Sequence, residues 1–106
     1  MSRTVAIDGA PYRLPAGDDL TRFQVDCLAA IRAIGPCKGL AIKELLIDRY
    51  DGDVNHGRLY PNLDQLVELG LVEKGQRDKR TNEYTLTDQG KEVLDARIDW
   101  LAGVDR

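Results

Sequence analysis

The chain holds one histidine, two cysteines, one tryptophan and one phenylalanine among 106 residues. So few ligating and nucleophilic side chains exclude most chemistry. His56 stands alone, with no His/Cys/carboxylate cluster at ligand spacing, and no metal site is expected. Cys27 and Cys37 are ten residues apart and form no CxxC pair. Cys27 lies among apolar residues at helical spacing and is expected in the core, whereas Cys37 falls in a loop and is expected to be exposed. Inert thiols are the plainer reading of both, and a redox-sensing disulfide is the sharper alternative. No Ser/His/Asp constellation, phosphate-cradling glycine loop or pair of buried acids can be picked out. Neither an enzyme nor a cofactor is expected.

Long apolar runs are missing too. Nothing approaches the roughly 20 apolar residues of a membrane-spanning helix, and the first residues contain no apolar leader segment. A cytoplasmic protein without a membrane partner is expected. The length suits one domain with a modest core, to which pairing of two copies would add buried surface. A net charge of −3 argues mildly against nucleic acid, but distribution outweighs the sum. Asp18, Asp19, Asp48, Asp51, Asp53, Asp88, Asp95 and Asp99 all fall outside the stretch considered next. Asp outnumbers Glu and Arg outnumbers Lys, the composition expected of a moderately salt-adapted protein. Strong salt would screen phosphate contacts and leave more of any DNA affinity to base contacts, shape and ion exchange.

Residues 54–87 organise the chain. Asn55 is a suitable N-cap, because its side-chain oxygen can accept from the open amides of a first helical turn. Leu59, Leu63, Leu66 and Val67 recur at helical spacing, and Gly70 suits the left-handed residue that ends a helix. Pro61 conflicts with a helix interior. Either the helix begins at Pro61, or it runs through it, with the small Gly57 four residues earlier leaving room. The apolar pattern reaches back to Leu59 and favours the longer helix. At about 100° per residue, Arg58, Asn62 and Gln65 share one face, roughly opposite Val67, with Gly57 and Pro61 flanking it. Arg can read guanine bidentately, and Asn or Gln can read adenine. A solvated polar face is the plain alternative.

The next residues shift that balance. Residues 71–73 and 82–86 read as two strands, with Tyr84 and Leu86 alternating against Glu83 and Thr85. The turn between them carries Arg77, Lys79 and Arg80 against one acid, Asp78. A basic hairpin tip can enter a minor groove or rest on phosphate.

The run Gly57, Leu59, Tyr60, Pro61, Leu63, Leu66, Gly70, Leu71, Val72, followed by Tyr84, Leu86, Thr87 and Gly90, resembles the PadR-like winged-helix transcription regulators over roughly residues 20–100. The segments VNHGRLYPNLDQLVELGLVEKG and RTNEYTLTDQG are especially similar to haloarchaeal members, including an oxidative-stress regulator. The resemblance implies a homodimer, a recognition helix at 55–69, a wing at 71–86 and a C-terminal dimerisation helix. The single C-terminal helix departs from longer family members and puts a dedicated ligand pocket in doubt. Double-stranded DNA with a palindromic operator becomes the expected partner. A winged-helix protein-interaction module without DNA is the alternative. The candidate DNA-contacting residues on and before the recognition helix are Asn55, His56, Gly57, Arg58, Tyr60, Pro61, Asn62 and Gln65. Arg77, Lys79 and Arg80 belong to the wing.

Around this centre the fold expected is mainly α with a small β-hairpin, a winged helix-turn-helix with a C-terminal dimerisation helix. Residues 1–19 form an arm or short hairpin, 20–87 the DNA-binding domain and 88–106 the dimerisation helix. Asp19 or Thr21 caps a first helix to about residue 34, with Phe23, Cys27, Ala30, Ile31 and Ile34 on one face, ended by Gly35 and Pro36. A second helix spans about 41–49 with Ile42, Leu45 and Leu46 inward. Lys38 and Lys43 near its start are placed to touch phosphate. Thr87 caps the last helix, where Leu94, Ile98, Trp100, Leu101 and Val104 spread over more than one face. That breadth implies burial against a second copy, with folding of Trp100 onto its own subunit as the alternative.

Overall fold

The computed structural model describes residues 3–7, 10–14, 20–76 and 78–104. Its first elements are strands β1 (Arg3–Ile7) and β2 (Ala10–Leu14), paired antiparallel from Arg3↔Leu14 to Ile7↔Ala10. A two-stranded ribbon has two free edges, which is where a proline such as Pro11 is tolerated. The hairpin form of the N-terminal segment is therefore the one adopted.

Helix α1 (Arg22–Ile34) starts at Thr21, not Asp19. The Thr21 hydroxyl accepts from the Gln24 N–H at 3.1 Å, and the Gln24 side chain accepts from the Thr21 N–H at 3.0 Å. This reciprocal capping box satisfies two amides the first turn cannot pair. The helix ends at Gly35, which takes a positive φ of 86° that a side chain would resist. Helix α2 (Gly39–Tyr50) extends beyond the expected span at both ends and stops at Asp51 in the left-handed region. Helix α3 (His56–Glu68) runs straight through Pro61, as the longer reading requires. Asn55 Oδ1 accepts from the Gly57 N–H at 2.6 Å. Its C-terminus closes as a Schellman motif: Gly70 has φ 78°, its N–H reaches Val67 O, and the Leu71 N–H reaches Leu66 O, each at 3.0 Å.

Strands β3 (Val72–Gln76) and β4 (Asn82–Leu86) form the wing, in register from Val72↔Leu86 to Gln76↔Asn82. Tyr84 and Leu86 point inward and Glu83 and Thr85 are more open, the alternation expected of a half-buried strand. Cys37 then adds a single bridge to the outer side of β4: its N–H donates to Tyr84 O at 3.0 Å and its carbonyl accepts from the Tyr84 N–H at 2.7 Å. The α1–α2 connection is thereby tied to the wing, which brings the start of α2 beside the tip end of β4. Helix α4 (Asp88–Val104) follows Thr87, whose hydroxyl accepts from the Gly90 N–H at 3.0 Å and donates to Gly70 O at 2.7 Å.

One core joins these parts. Phe23, Leu28 and Ile31 of α1 meet Ile42 and Leu46 of α2, Leu59, Leu63 and Leu66 of α3, Tyr84 and Leu86 of the wing, and Leu94 of α4. The order α1–α2–α3–β3–β4 is the winged helix-turn-helix expected, and no described helix is long and apolar enough to cross a membrane.

Four expectations are corrected. Cys37 is buried, because its loop pairs with β4. Ile34 is 42% exposed, since it ends α1 beyond the core, and Leu45 is 36% exposed, on the flank of the Ile42–Leu46 stripe. Leu94, assigned to a subunit interface, is only 2% exposed and belongs to its own subunit's core.

Candidate nucleic-acid interface

Helix α3 buries Leu59, Leu63 and Leu66. With that stripe inward, the outermost positions are Gly57 and Pro61, both exposed and both low in profile, so a partner can approach the helix backbone there. Asp64 and Glu68 continue the outer stripe toward the C-terminus, and Asp64 is held by Lys74 at 3.5 Å. The candidate side chains lie on the two flanks of this outer stripe.

One flank faces α1. The Arg58 guanidinium lies over the Phe23 ring, 4.0 Å from its centroid. Phe23 is stacked in turn on Tyr50, whose hydroxyl donates to Asp26. Stacking occupies the π face of the guanidinium and leaves its in-plane N–H groups available, so Arg58 is exposed yet oriented. Asn62 and Gln65 are joined through Gln24, which is only 3% exposed. Gln24 Nε2 donates to Asn62 Oδ1 at 3.1 Å and to Gln65 Oε1 at 2.9 Å. Asn62 Nδ2 donates to Arg58 O at 2.7 Å. Both ends of the Asn62 amide are therefore engaged inside the protein, whereas for exposed Gln65 it is the oxygen that is engaged.

The other flank faces α2 and the wing. His56 stacks on Tyr60 with ring centroids 5.6 Å apart, and its Nε2 lies 3.1 Å from Lys43 Nζ. An ammonium has only donors, so the ring nitrogen accepts here. Tyr60 closes over Gly39, where a β-carbon would fall 2.7 Å from the phenol oxygen. Lys38, Gly39, Tyr60 and Arg80 line an open cleft of about 230 Å³ between the first turn of α2 and the tip end of β4. Lys38 is the N-cap and offers no side-chain cap, and no acid occupies that first turn. The amides of the turn and the two cations make the cleft a favourable place for an anionic group. At the wing tip Lys79 and Arg80 are exposed. The one acid, Asp78, turns back on its own loop and accepts from the Arg80 N–H at 2.9 Å. That bond chiefly, with Thr81 and the nearby Lys38 charge, holds its carboxyl below the usual carboxylate range.

Of the candidate residues, Lys38, Tyr60 and Arg80 come together at the cleft, Lys43 joins His56, and Arg58, Asn62 and Gln65 gather beside α1. Arg77 lies outside the described residues, as does the side chain of Val104. Sequence reasoning missed Phe23 and Gln24. The Thr21-x-x-Gln24 spacing signals a capping box, but the second task of the Gln24 amide depends on the packing of α1 against α3.

Among the described residues no group of three or more His, Cys, Asp or Glu is placed to hold a metal. Burial, aided by Asp26 and opposed by Arg58, pushes the Cys27 thiol up to about 12. With Cys37 buried as well, neither sulfur is available as an exposed thiolate. An aromatic disulfide reagent at neutral pH is expected to label neither thiol of the native protein on the time scale of minutes, and both after addition of denaturant. Rapid labelling without denaturant would restore the cysteines as sensors.

Residues 27–96 match the transcriptional regulator PadR-like family. No curated protein sequence matches the chain. Among solved structures, RosR of Halobacterium salinarum in a crystal grown from NaBr is 48% identical, with 83% of this chain and 79% of that chain covered and a TM-score of 0.77. The same protein in a complex designated RosR-SG is 47% identical over 84% of this chain and 79% of that one, TM-score 0.78. Wild-type apo MarR from E. coli is 30% identical over 74% of this chain and 56% of that one, TM-score 0.64.

Proposed function

Since the chain belongs to the transcriptional regulator PadR-like family and is a DNA-binding regulator, we propose that it binds a palindromic duplex operator as a homodimer. The observation that carries this reading is the arrangement of cations around the low outer stripe of α3. Arg58 stands on one side of Gly57 and Pro61, and Lys38, Lys43 and Arg80 stand on the other. A duplex laid along this stripe would receive Arg58 and Gln65 at base edges. Phosphates on its far side would meet the start of α2, Lys43 with His56, and the wing through Lys79 and Arg80. Asn55 holds the first turn of α3, and Tyr60 spaces α3 from α2. Two copies with their α3 helices about 34 Å apart would read two half-sites one helical turn apart.

The action is regulatory. An intracellular setting follows from the genome as target. The regulator acts in the oxidative-stress response, as the haloarchaeal resemblance implies, with the signal arriving by a route other than an exposed thiolate.

Two variants test the division of labour. Arg58→Ala is expected to weaken operator binding by roughly 1–3 kcal/mol and to relax preference at one base pair per half-site. Arg80→Ala is expected to weaken binding to all duplexes alike and to reduce the dependence of log affinity on log salt by about one unit. Titrations against operator and scrambled duplex across a salt series measure both. Unchanged operator affinity for Arg58→Ala would remove it from base reading, and a loss at Arg80 confined to the operator would contradict a phosphate role.

A further inference from the structure

We propose that Gln24, on α1, is a positioning residue that sets the polarity of the reading face: it holds Gln65 with its oxygen turned in toward α1 and its NH2 outward, so that the amide meets DNA as a donor. The inference rests on the reading of α3 as the DNA-reading helix and names the base edge that one of its side chains prefers.

An isolated amide side chain can point its oxygen or its nitrogen outward, but here the choice is forced from both ends of a chain of hydrogen bonds. At one end stands the Thr21 N–H, a backbone donor, 3.0 Å from Gln24 Oε1. Gln24 must therefore place its oxygen there and its NH2 toward α3. That NH2 meets Asn62 at 3.1 Å and Gln65 at 2.9 Å, so both must present oxygen to it. At the other end stands the carbonyl of Arg58, a backbone acceptor, 2.7 Å from the Asn62 amide nitrogen. It requires the Asn62 NH2 on that side, which again leaves the Asn62 oxygen for Gln24. Two backbone groups of opposite character thus impose the same polarity. Reversing any one amide would face donor with donor or acceptor with acceptor, and burial of Gln24 makes such a mismatch costly.

The consequence falls on Gln65. A glutamine reads adenine bidentately by accepting from N6 and donating to N7, which needs both ends of its amide. With its oxygen turned inward to Gln24, Gln65 faces a partner with its NH2, and the oxygen's second lone pair is directed away from the bidentate geometry that adenine needs. Guanine presents two acceptors side by side in the major groove, O6 and N7, whereas adenine sets a donor beside its one acceptor and thymine a methyl group beside its O4. Gln65 is therefore assigned to guanine. Asn62, engaged at both ends, is assigned to the relay and not to a base.

The test uses selection from a randomised duplex library with the intact protein, its Q65L variant and its Q24E variant. Gln65 is exposed, and Q65L identifies the base pair that it reads. Glutamate at position 24 keeps the capping box, since one carboxylate oxygen still accepts from the Thr21 N–H. The other oxygen is an acceptor where a donor stood, which turns the Gln65 amide over. The expected result is a guanine preference of roughly tenfold at one position of each half-site in the parent, lost in Q65L and replaced or abolished at that same position in Q24E. An adenine preference that Q65L removes would overturn the proposal. So would a Q24E protein that folds, binds and keeps the parent's preference at that position. Should Q24E fail to fold, the guanine-or-adenine outcome for the parent against Q65L still decides. A parent that selects no sequence at all would fail the reading of α3 itself, a result distinct from either variant's.

Discussion

Gly90→Ala is expected to destabilise the protein by about 3 kcal/mol, at the upper end of overpacking costs, although helix propensity alone predicts a gain of about 1 kcal/mol for the same change. The two effects oppose each other, and the geometry decides between them. A β-carbon at position 90 would fall 2.2 Å from the carbonyl oxygen of Leu71, 3.1 Å from its carbon and 2.7 Å from Leu86 Cδ1. The leucine side chain can rotate, but the carbonyl cannot move freely. It accepts from the Thr87 N–H at 3.1 Å, and Leu71 is also fixed through its own N–H to Leu66. Relief of the clash therefore requires α4 to lift from the end of α3, straining the contacts Thr87 makes at the junction. Gly103→Ala is the control, because nothing lies within 4 Å of its added carbon, and there propensity should prevail with a small gain. Urea midpoints for both variants measure the contrast. A raised midpoint for Gly90→Ala would show that α4 is not seated against Leu71 as described.

The parts of the fold that were legible in sequence are those governed by local rules. Asn55 before a helical apolar repeat and Gly70 after it bounded α3 closely, because a cap oxygen and a left-handed glycine act on their own turn. The alternation of Tyr84 and Leu86 marked the wing for the same reason. Misplaced residues are those whose environment comes from distant segments. Cys37 looks like an exposed loop residue until β4 pairs with it. Helical periodicity puts the reading face roughly opposite Val67, but Val67 lies on the edge of the buried stripe that Leu59, Leu63 and Leu66 define. The outermost positions are therefore Gly57 and Pro61, and Arg58, Asn62 and Gln65 turn toward α1. Residue types named the candidate contacts, but only the packing of α1 on α3 shows which atoms of each amide remain for a partner.

Ile98→Glu combined with Leu101→Glu is expected to give a folded monomer that loses roughly a hundredfold or more in operator affinity, because the second half-site no longer binds as an intramolecular event. Leu94, Ile98 and Leu101 follow one stripe of α4 at helical spacing. Its first member is 2% exposed in the subunit's own core, the next two are 49% and 54% exposed, and Trp100, about 100° round the helix from Leu101, is 64% exposed. The stripe thus continues past the point where α1 and the wing stop covering it. A tryptophan left in water forgoes a burial worth a few kcal/mol, on the order of 25 cal/mol for each Å² covered. A symmetric pair of these helices would recover that area twice, with like residues meeting across the axis. The charge-bearing pair keeps the subunit fold, since neither residue enters its core, and it sets four carboxylates at the axis of any such dimer. Sedimentation gives the oligomeric state, and titration against a full operator and a single half-site gives the coupling. A monomer whose half-site affinity matches the parent's while full-operator affinity collapses would place the dimer axis on α4. A variant that remains dimeric with parental affinity would move the axis elsewhere and leave the apolar end of α4 to another partner.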